Sequence, residues 1–439
     1  MLQVGEAKEI GGIATSSKEV CEGDLFLALP GAHTHGSSFI EDALQRGACA
    51  VLAPKEVAAL RGTHWHLAVD DVLLALHAAA GMRRRAFTGR VIAVTGSVGK
   101  TTAKEAIGAV LGNVPRSKGN YNSTLGLPLS VLSMPDAPFW VLELGINHVG
   151  EMAQMARTLL PDIGVLTNVG SAHIGELGGM ESILREKTRL SHFVKPGGSF
   201  LLPHEILTKN RELLAPLCHI ISFGEGDGCD FSAENIANSA NGICCDLKTG
   251  NGSIIDLAWP VAGKAGRDAL LVAGAVGVIC GRSECEIRRG IKYAATRVPH
   301  RAVVERCGYL LINESYNASP EGMMAALEGF GYLSEGRVRV AVLGDMLELG
   351  EFSRSMHEKV GERVAKSGIS MLFTYGAEAM HIANAARRLG MPAFCVICAR
   401  DEAALLLAMR RLIPKGAAVL FKASRAMLLE RVFEAFGGE

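Results

Sequence analysis

The chain has 439 residues, too many for one ordinary domain, and 49% are hydrophobic, which is ample for packed cores and excludes a disordered chain. Lys plus Arg and Asp plus Glu both number 45, so there is no general basic field to favour nucleic acid as a partner. The opening MLQVGEAKEI lacks the charged region and apolar core of a signal peptide. The longest apolar run, Ala269–Cys280, falls short of the roughly 20 residues that span a bilayer, so a soluble, cytoplasmic protein without membrane insertion is expected.

Short strands and helices alternate at the start, with GDLFLALPG and GACAVLAP the clearest strand-then-turn segments. LLALHAAAGMRRRAF reads as a helix running into a basic linker, Arg83–Arg85. Strands then alternate with helical patterns through VIAVTG, FWVLELG, DIGVLTNVG and SFLLP. Each ends in glycine or a polar residue, the order expected of a doubly wound parallel sheet. Near YAATRVPHRAVVE the pattern changes, and a second series follows: YLLINES, VRVAVLGDM, SMLFTYG, AFCVIC and GAAVLFKAS. The expectation is an α/β protein of three domains: a small N-terminal α/β domain (residues 1–83), a central doubly wound phosphate-loop domain (84–297) and a C-terminal Rossmann-like domain (298–439).

The 11 cysteines are irregularly spaced and many lie in apolar stretches, which predicts buried free thiols in a reducing compartment. Cys395 and Cys398 form a C-x-x-C pair. A zinc site would need a second pair of ligands, which the sequence does not offer; a redox motif stays open, although the segment reads as a strand.

VIAVTGSVGKTT, Val91 to Thr102, carries the strongest chemical signal. The common spacing G-x-x-x-x-G-K-[ST] would need glycine where Val94 stands. Even so, Gly96, Ser97, Val98, Gly99, Lys100, Thr101 and Thr102 occupy a strand-to-helix junction. Such a turn aims backbone N–H groups at an anion on the helix N-terminus. Lys100 would meet phosphate oxygens, and the Thr101 hydroxyl would ligate Mg²⁺. The plainer alternative is a tight turn with an exposed lysine. Glu143 closes FWVLELG, and Thr167, Asn168 and His173 follow the next strand, where an open α/β sheet forms its site. Alone, such a Glu is solvated and such a His structural; beside a phosphate loop they point to magnesium. Lys187, in ESILREKTRL, reads by itself as a surface lysine.

TGSVGKTT, GNYNSTLGLP, LELGINHVGEM, TNVGSAH, INESYNASP and LGDMLELGEFSRSMHEKVG occur in an order that resembles the Mur ligase family. That family's phosphate loop has the short form T-G-[ST]-x-G-K-[ST]. The match runs from GDLFLAL to KASR, nearly the whole chain. The resemblance implies ATP-dependent amide formation: a substrate carboxylate attacks the γ-phosphate, and an amine then displaces phosphate from the acyl phosphate. GDMLELGEFSRSMHEKVG resembles the branch that adds D-alanyl-D-alanine to UDP-N-acetylmuramoyl-tripeptide in peptidoglycan precursor synthesis.

By motif match, the resemblance implies a catalytic set of Lys100, Glu143, His173 and Lys187. Lys100 would bind the β- and γ-phosphates, Thr101 and Glu143 the first Mg²⁺, and His173 would assist a second. Lys187 falls where the family carries a carbamylated lysine that supports that second ion. Asn120 and Asn122 match a segment near the reacting groups, with Asn147 and His148 beside Glu143. Arg301 and Glu314 match positions that reach the nucleotide ribose and phosphates, and Tyr316 and Asn317 lie near the base. Ser17 and Lys18 match a Ser-Arg pair in the UDP-sugar-binding N-terminal domain. Lys422, Ser424 and Arg425 match a K-G-S-R segment suited to the dipeptide carboxylate. A monomer is expected.

The chain departs from the family pattern where Ala265 and Gly266 stand for His-Asn and Ala269 for a later Asn, a motif that helps hold adenine. PHR replaces P-G-R, Asn313-Glu314 an Asp-Asp pair, and THGSSF a D-G-H-x-F segment. Altered nucleotide affinity is the expected consequence. Other amide ligases remain as alternatives, but an amino-acid-adding ligase would show a D-N-P-R-like motif, and folylpolyglutamate synthetase lacks a UDP-sugar domain. A nucleotide-driven switch or transport ATPase would show the full-length loop and a separate Asp ending an apolar strand.

Overall fold

The computed structural model describes residues 9–31, 34–57, 65–119, 121–250, 252–296 and 302–438. Three sheets follow one another along the chain. The first is parallel throughout, in the order β1 (Ile13–Ala14), β2 (Leu25–Leu27), β3 (Ala50–Pro54), β4 (Trp65–Val69). The second contains β5 (Arg90–Thr95), β6 (Phe139–Glu143), β7 (Ile163–Leu166), β8 (Ser199–Pro203), β9 (His219–Glu225), β10 (Phe231–Ser239), β11 (Gly242–Thr249) and β12 (Gly252–Trp259), ordered β12-β11-β10-β9-β8-β7-β5-β6. The third contains β13 (Ala302–Arg306), β14 (Tyr309–Asn313), β15 (Arg339–Gly344), β16 (Met371–Tyr375), β17 (Val396–Ala399) and β18 (Ala418–Lys422), ordered β13-β14-β18-β15-β16-β17. Only β13 runs antiparallel in that last sheet.

The continuous apolar run of β5 is what a strand covered on both faces requires. Val91 and Ala93 enter one core; Ile92 and Val94, pointing the other way, enter a second. The first core continues through Ile174 and Leu177 to Met346 and Leu349, so apolar packing joins the central and third sheets.

Sequence alternation had stopped at SFLLP, yet four more strands extend the central sheet. The parallel run continues through β9 and β10, then β10–β12 form an antiparallel meander with register shifts in both pairings. One face of the meander is solvated: β12 buries only Ile254, Leu257 and Trp259. A half-polar strand carries a weaker signal than a buried parallel one.

Arg83–Arg85 are the last turn of the helix Val72–Ala86 rather than a linker. Arg84 is buried there; it donates to the Leu159 (2.7 Å) and Leu160 (3.1 Å) carbonyls and to Asp162 Oδ2 (3.0 Å). Cations suit a helix C-terminus, and this one clamps the helix to the central domain. The cysteines are free as expected, but only Cys218 and Cys245 are buried, while Cys21, Cys244, Cys285, Cys307 and Cys398 are exposed. Cys21 and Cys307 lie in turns or loops, Cys244 and Cys398 on half-solvated strands and Cys285 at a helix start, so these thiols face outward despite apolar neighbours in sequence. No group of three or more His, Cys, Asp or Glu side chains poised for a metal occurs among the described residues, and none of their helices is long and apolar enough to cross a membrane.

Candidate active site

The phosphate loop leaves the end of β5 and enters the helix Lys100–Val110. Glycine is required at both of its turns. A Cβ on Gly96 would lie 1.9 Å from Thr167 Oγ1, and Gly99 adopts φ 81°, the left-handed region. Asn168, just beyond β7, shapes the loop: its Oδ1 accepts from the Ser97 (3.2 Å) and Val98 (2.9 Å) N–H groups. Its Nδ2 donates to the Val98 carbonyl at 2.7 Å. The Ser97 hydroxyl pairs with the Gly170 backbone. Val94, which stands where longer loops have glycine, is simply a buried strand residue. The loop begins only at Gly96.

Lys100 Nζ donates to the Gly96 carbonyl at 2.9 Å and approaches that of Ser97 at 3.4 Å. Lys187 Nζ reaches the same Gly96 carbonyl at 3.1 Å from the helix Met180–Thr188. Lys187 is only 3% exposed, which settles against a surface lysine. Burial, with the Lys100 charge adding to it, pushes the Lys187 amine well below its ordinary range; burial lowers Lys100 too.

Thr101 and Glu143 meet from neighbouring elements. The Thr101 hydroxyl donates to Glu143 Oε2 at 2.8 Å, and Asn122 Nδ2 donates to Oε1 at 2.7 Å. Glu143 is 2% exposed, so it is not a solvated strand-end carboxylate. Lys104 Nζ lies 3.7 Å from Oε2. A hydroxyl and a carboxylate beside a phosphate loop form the hard oxygen donor set that Mg²⁺ prefers, so these residues fit the ion. His173 lies apart from that pair, at φ 60° before a short helix, with Nδ1 2.6 Å from Glu348 Oε2 of the third domain. Burial holds the imidazole below its ordinary value, with Lys100 and Lys187 contributing, against the opposing pull of Glu348.

The third domain touches the central one at this same edge. Ser171 Oγ donates to Glu321 Oε1 at 3.0 Å, and Gly175 N to the Glu348 carbonyl at 3.2 Å. Glu314 follows β14, where Lys422 Nζ lies 3.5 Å from its Oε2. Tyr316 and Asn317 are exposed, and the Arg425 guanidinium sits over the Tyr316 ring at 5.7 Å. Lys422 also donates to the Asn317 carbonyl (3.0 Å), while Ser424, buried, accepts from Leu347 N (2.9 Å). Of the K-A-S-R segment, only Arg425 projects into solvent, paired with Glu430 at 2.9 Å.

Asn147 and His148 are exposed beside Glu151, whose carboxylate accepts from both backbone N–H groups and raises the His148 pKa. Asn120 and Arg301 lie outside the described residues, as do residues 297–300 just ahead of the third sheet. A cavity of about 1270 Å³ opens between the first sheet and the central domain, walled by Ile13, Leu76, Arg116, Ser117, Lys118 and Tyr121 among others. Ser17 and Lys18 are not part of that wall. Ser17 is buried and helps hold the Asp42 carboxyl below its ordinary range, and Lys18 is exposed. Sequence reading passed over Lys104, Glu321 and Glu348. For Lys104 one signal existed: it repeats Lys100 one turn on, along the helix face that carries buried Ala103 and Ile107.

Three family models match in chain order: "Mur ligase family, catalytic domain" over residues 9–77, "Mur ligase middle domain" over 94–277 and "Mur ligase, glutamate ligase domain" over 301–425. The chain is 33% identical to the UDP-N-acetylmuramoyl-tripeptide–D-alanyl-D-alanine ligase of Bacillus subtilis, across 97% of this chain and 93% of that protein. It superposes on a crystal structure of MurF from Acinetobacter baumannii with a TM-score of 0.89 and 28% identity, covering 100% of this chain and 95% of the other. MurF from Thermotoga maritima in complex with ADP matches with a TM-score of 0.83 and 28% identity, covering 98% of each chain. With a short phosphate loop, an adjoining Thr–Glu pair and these matches across all three sheets, the chain belongs to the Mur ligase family.

Proposed function

We propose that this enzyme joins D-alanyl-D-alanine to UDP-N-acetylmuramoyl-tripeptide, giving UDP-N-acetylmuramoyl-pentapeptide, ADP and phosphate by way of an acyl phosphate. The observation that carries the reading is the convergence of Lys100, Lys187 and the Thr101–Glu143 pair on one loop, at the edge where the third domain closes. A carboxylate is a poor electrophile, and phosphorylation makes it reactive toward an amine. The loop N–H groups and Lys100 would neutralise charge as phosphoryl moves. Thr101 and Glu143 would hold Mg²⁺, which supplies further charge neutralisation when bound. Asn122 keeps the Glu143 carboxylate oriented.

Lys187 is the residue we assign to carbamylation. A desolvated amine held below its ordinary range is the nucleophilic form that carbon dioxide adds to, and the product is an anion able to support a second ion together with His173. Contacts from Ser171 to Glu321 and from His173 to Glu348 would hold the third domain against the loop and keep water from a hydrolysable intermediate. We assign Glu314, Tyr316 and Asn317 to the nucleotide, Asn147 and His148 to the reacting groups, and Lys422, Ser424 and Arg425 to the incoming dipeptide. Arg425 is the exposed member, which would exchange its Glu430 partner for the dipeptide carboxylate. Ser17 and Lys18 take the UDP end, and the large cavity takes the peptide-bearing part of the substrate. We place the reaction in the cytoplasm, carried out by a monomer.

The test is product analysis by mass spectrometry. Enzyme with ATP, Mg²⁺, UDP-muramoyl-tripeptide and D-alanyl-D-alanine should yield the pentapeptide and one ADP per amide. ATP hydrolysis without amide product would sink the proposal.

A further inference from the structure

We propose that Lys104 is a positioning residue that ties the phosphate-loop helix to the wall of the large cavity, so that nucleotide and peptide substrate are held in one register. This rests on the reading of the cavity as the seat of the peptide-bearing substrate. Lys104 is 1% exposed and belongs to none of the groups assigned above to phosphate, metal or substrate. Its ammonium donates to two backbone carbonyls and has two carboxylates close by. The Ser117 carbonyl lies at 2.8 Å, the Gly119 carbonyl at 3.3 Å and Glu143 Oε2 at 3.7 Å. Glu105 Oε1 is also 3.7 Å away.

Those acceptors belong to one small frame. Ser117 N donates to the Val141 carbonyl at 3.0 Å, and Glu143 N donates back to Ser117 Oγ at 3.1 Å, so the segment after Arg116 is laced along β6. The same segment then presents Ser117, Lys118 and Tyr121 to the cavity and carries Asn122, whose amide holds Glu143. Gly145 N donates to the Asn122 carbonyl at 2.7 Å, which closes the frame. Lys104 is the contact from the phosphate-loop helix to the carbonyls of that segment. Remove the ammonium, and two backbone carbonyls lose their donor while residues 117–119 lose their tie to the helix that carries Lys100 and Thr101; the Arg116 Nε–Glu105 Oε2 contact, one step earlier in the segment, remains. A buried polar network that is only partly satisfied rearranges.

The experiment compares wild-type enzyme with Lys104→Met, close in length but without charge or donors. Displacement of a substrate-bearing wall should raise the KM for UDP-muramoyl-tripeptide by about tenfold or more. Metal-free ADP binding should stay within about twofold, because Lys100 and the loop N–H groups do not contact Lys104. Amide hydrogen exchange should accelerate at residues 117–121 and not across the rest of the central domain. An unchanged KM with unchanged exchange would overturn the inference. So would a uniform loss of protection with KM and ADP affinity shifting in parallel, the mark of a merely structural role. Should that variant not fold, Lys104→Gln, which keeps one donor group, takes its place and is judged by the same KM and exchange readouts against wild type. A wild-type enzyme that makes no amide would sink the proposed reaction, while the exchange measurements would still judge Lys104.

Discussion

Glu143→Gln removes one charge from the centre of the site and almost no volume. The carboxylate is 2% exposed and accepts from Asn122 Nδ2 at 2.7 Å and Thr101 Oγ1 at 2.8 Å, with Lys104 Nζ 3.7 Å away. A glutamine can keep its oxygen toward only one of these groups. With oxygen on Asn122, its NH₂ faces Thr101 and Lys104, and the buried ammonium loses the more deeply buried of its two carboxylate neighbours, Glu105 remaining. Leaving a charged group without that partner costs about 2–3 kcal/mol of stability. The larger effect falls on catalysis. On the proposed role of Glu143 in holding Mg²⁺, its loss would remove several kcal/mol of transition-state stabilisation, which at about 1.4 kcal/mol per decade is roughly two to four orders of magnitude in kcat/KM. The assay is amide product across a Mg²⁺ titration, alongside metal-free ADP binding, which should hold within about twofold because Glu143 does not touch the loop N–H groups. A folded Glu143→Gln enzyme that keeps more than about a tenth of wild-type turnover would refute the assigned role.

Lys187→Ala should lower turnover by about two orders of magnitude, with partial recovery in formate or acetate; near-normal turnover without additive would remove the carbamate assignment. Arg84→Met should cost about 3–5 kcal/mol in urea unfolding, because Asp162 loses a buried partner and the Leu159 and Leu160 carbonyls lose a donor; a loss under about 1 kcal/mol would contradict the clamp. His77 and His357 are buried, and burial holds both below the ordinary value of 6.5. The unfolded chain therefore takes up protons that the folded chain refuses. Their contribution is flat above about pH 7, and stability falls as pH drops below about 6.5, by up to about 1.4 kcal/mol per pH unit for each histidine. Urea midpoints should decline toward pH 5.5, and less steeply in His77→Asn; parallel slopes would show that His77 does not titrate as described.

The phosphate loop was legible because its determinants are local. A strand end, two glycines with fixed backbone demands, and a Lys-Thr pair all lie within Val91–Thr102. The position of Glu143 at a strand end was legible, whereas its burial and its contact with Thr101 were not. What stayed hidden depends on distant partners. Nothing beside Lys187 in sequence shows that its amine crosses to the Gly96 carbonyl. Arg83–Arg85 read as linker because three arginines look solvated, yet Asp162 lies 78 residues away in the chain from Arg84. Glu348 was quoted only as part of a motif; its pairing with His173 exists because two domains meet there. The meander β10–β12 escaped for a different reason, its solvated face breaking the continuous apolar pattern that marked the other central strands.

The activation of a carboxylate by phosphoryl transfer is tested most directly with ¹⁸O. UDP-muramoyl-tripeptide labelled in its reacting carboxylate is turned over with ATP, Mg²⁺ and D-alanyl-D-alanine, and the released phosphate is analysed by mass spectrometry. An acyl phosphate requires one labelled oxygen to leave with each phosphate and the other to remain in the amide carbonyl. Unlabelled phosphate released alongside amide product would contradict it.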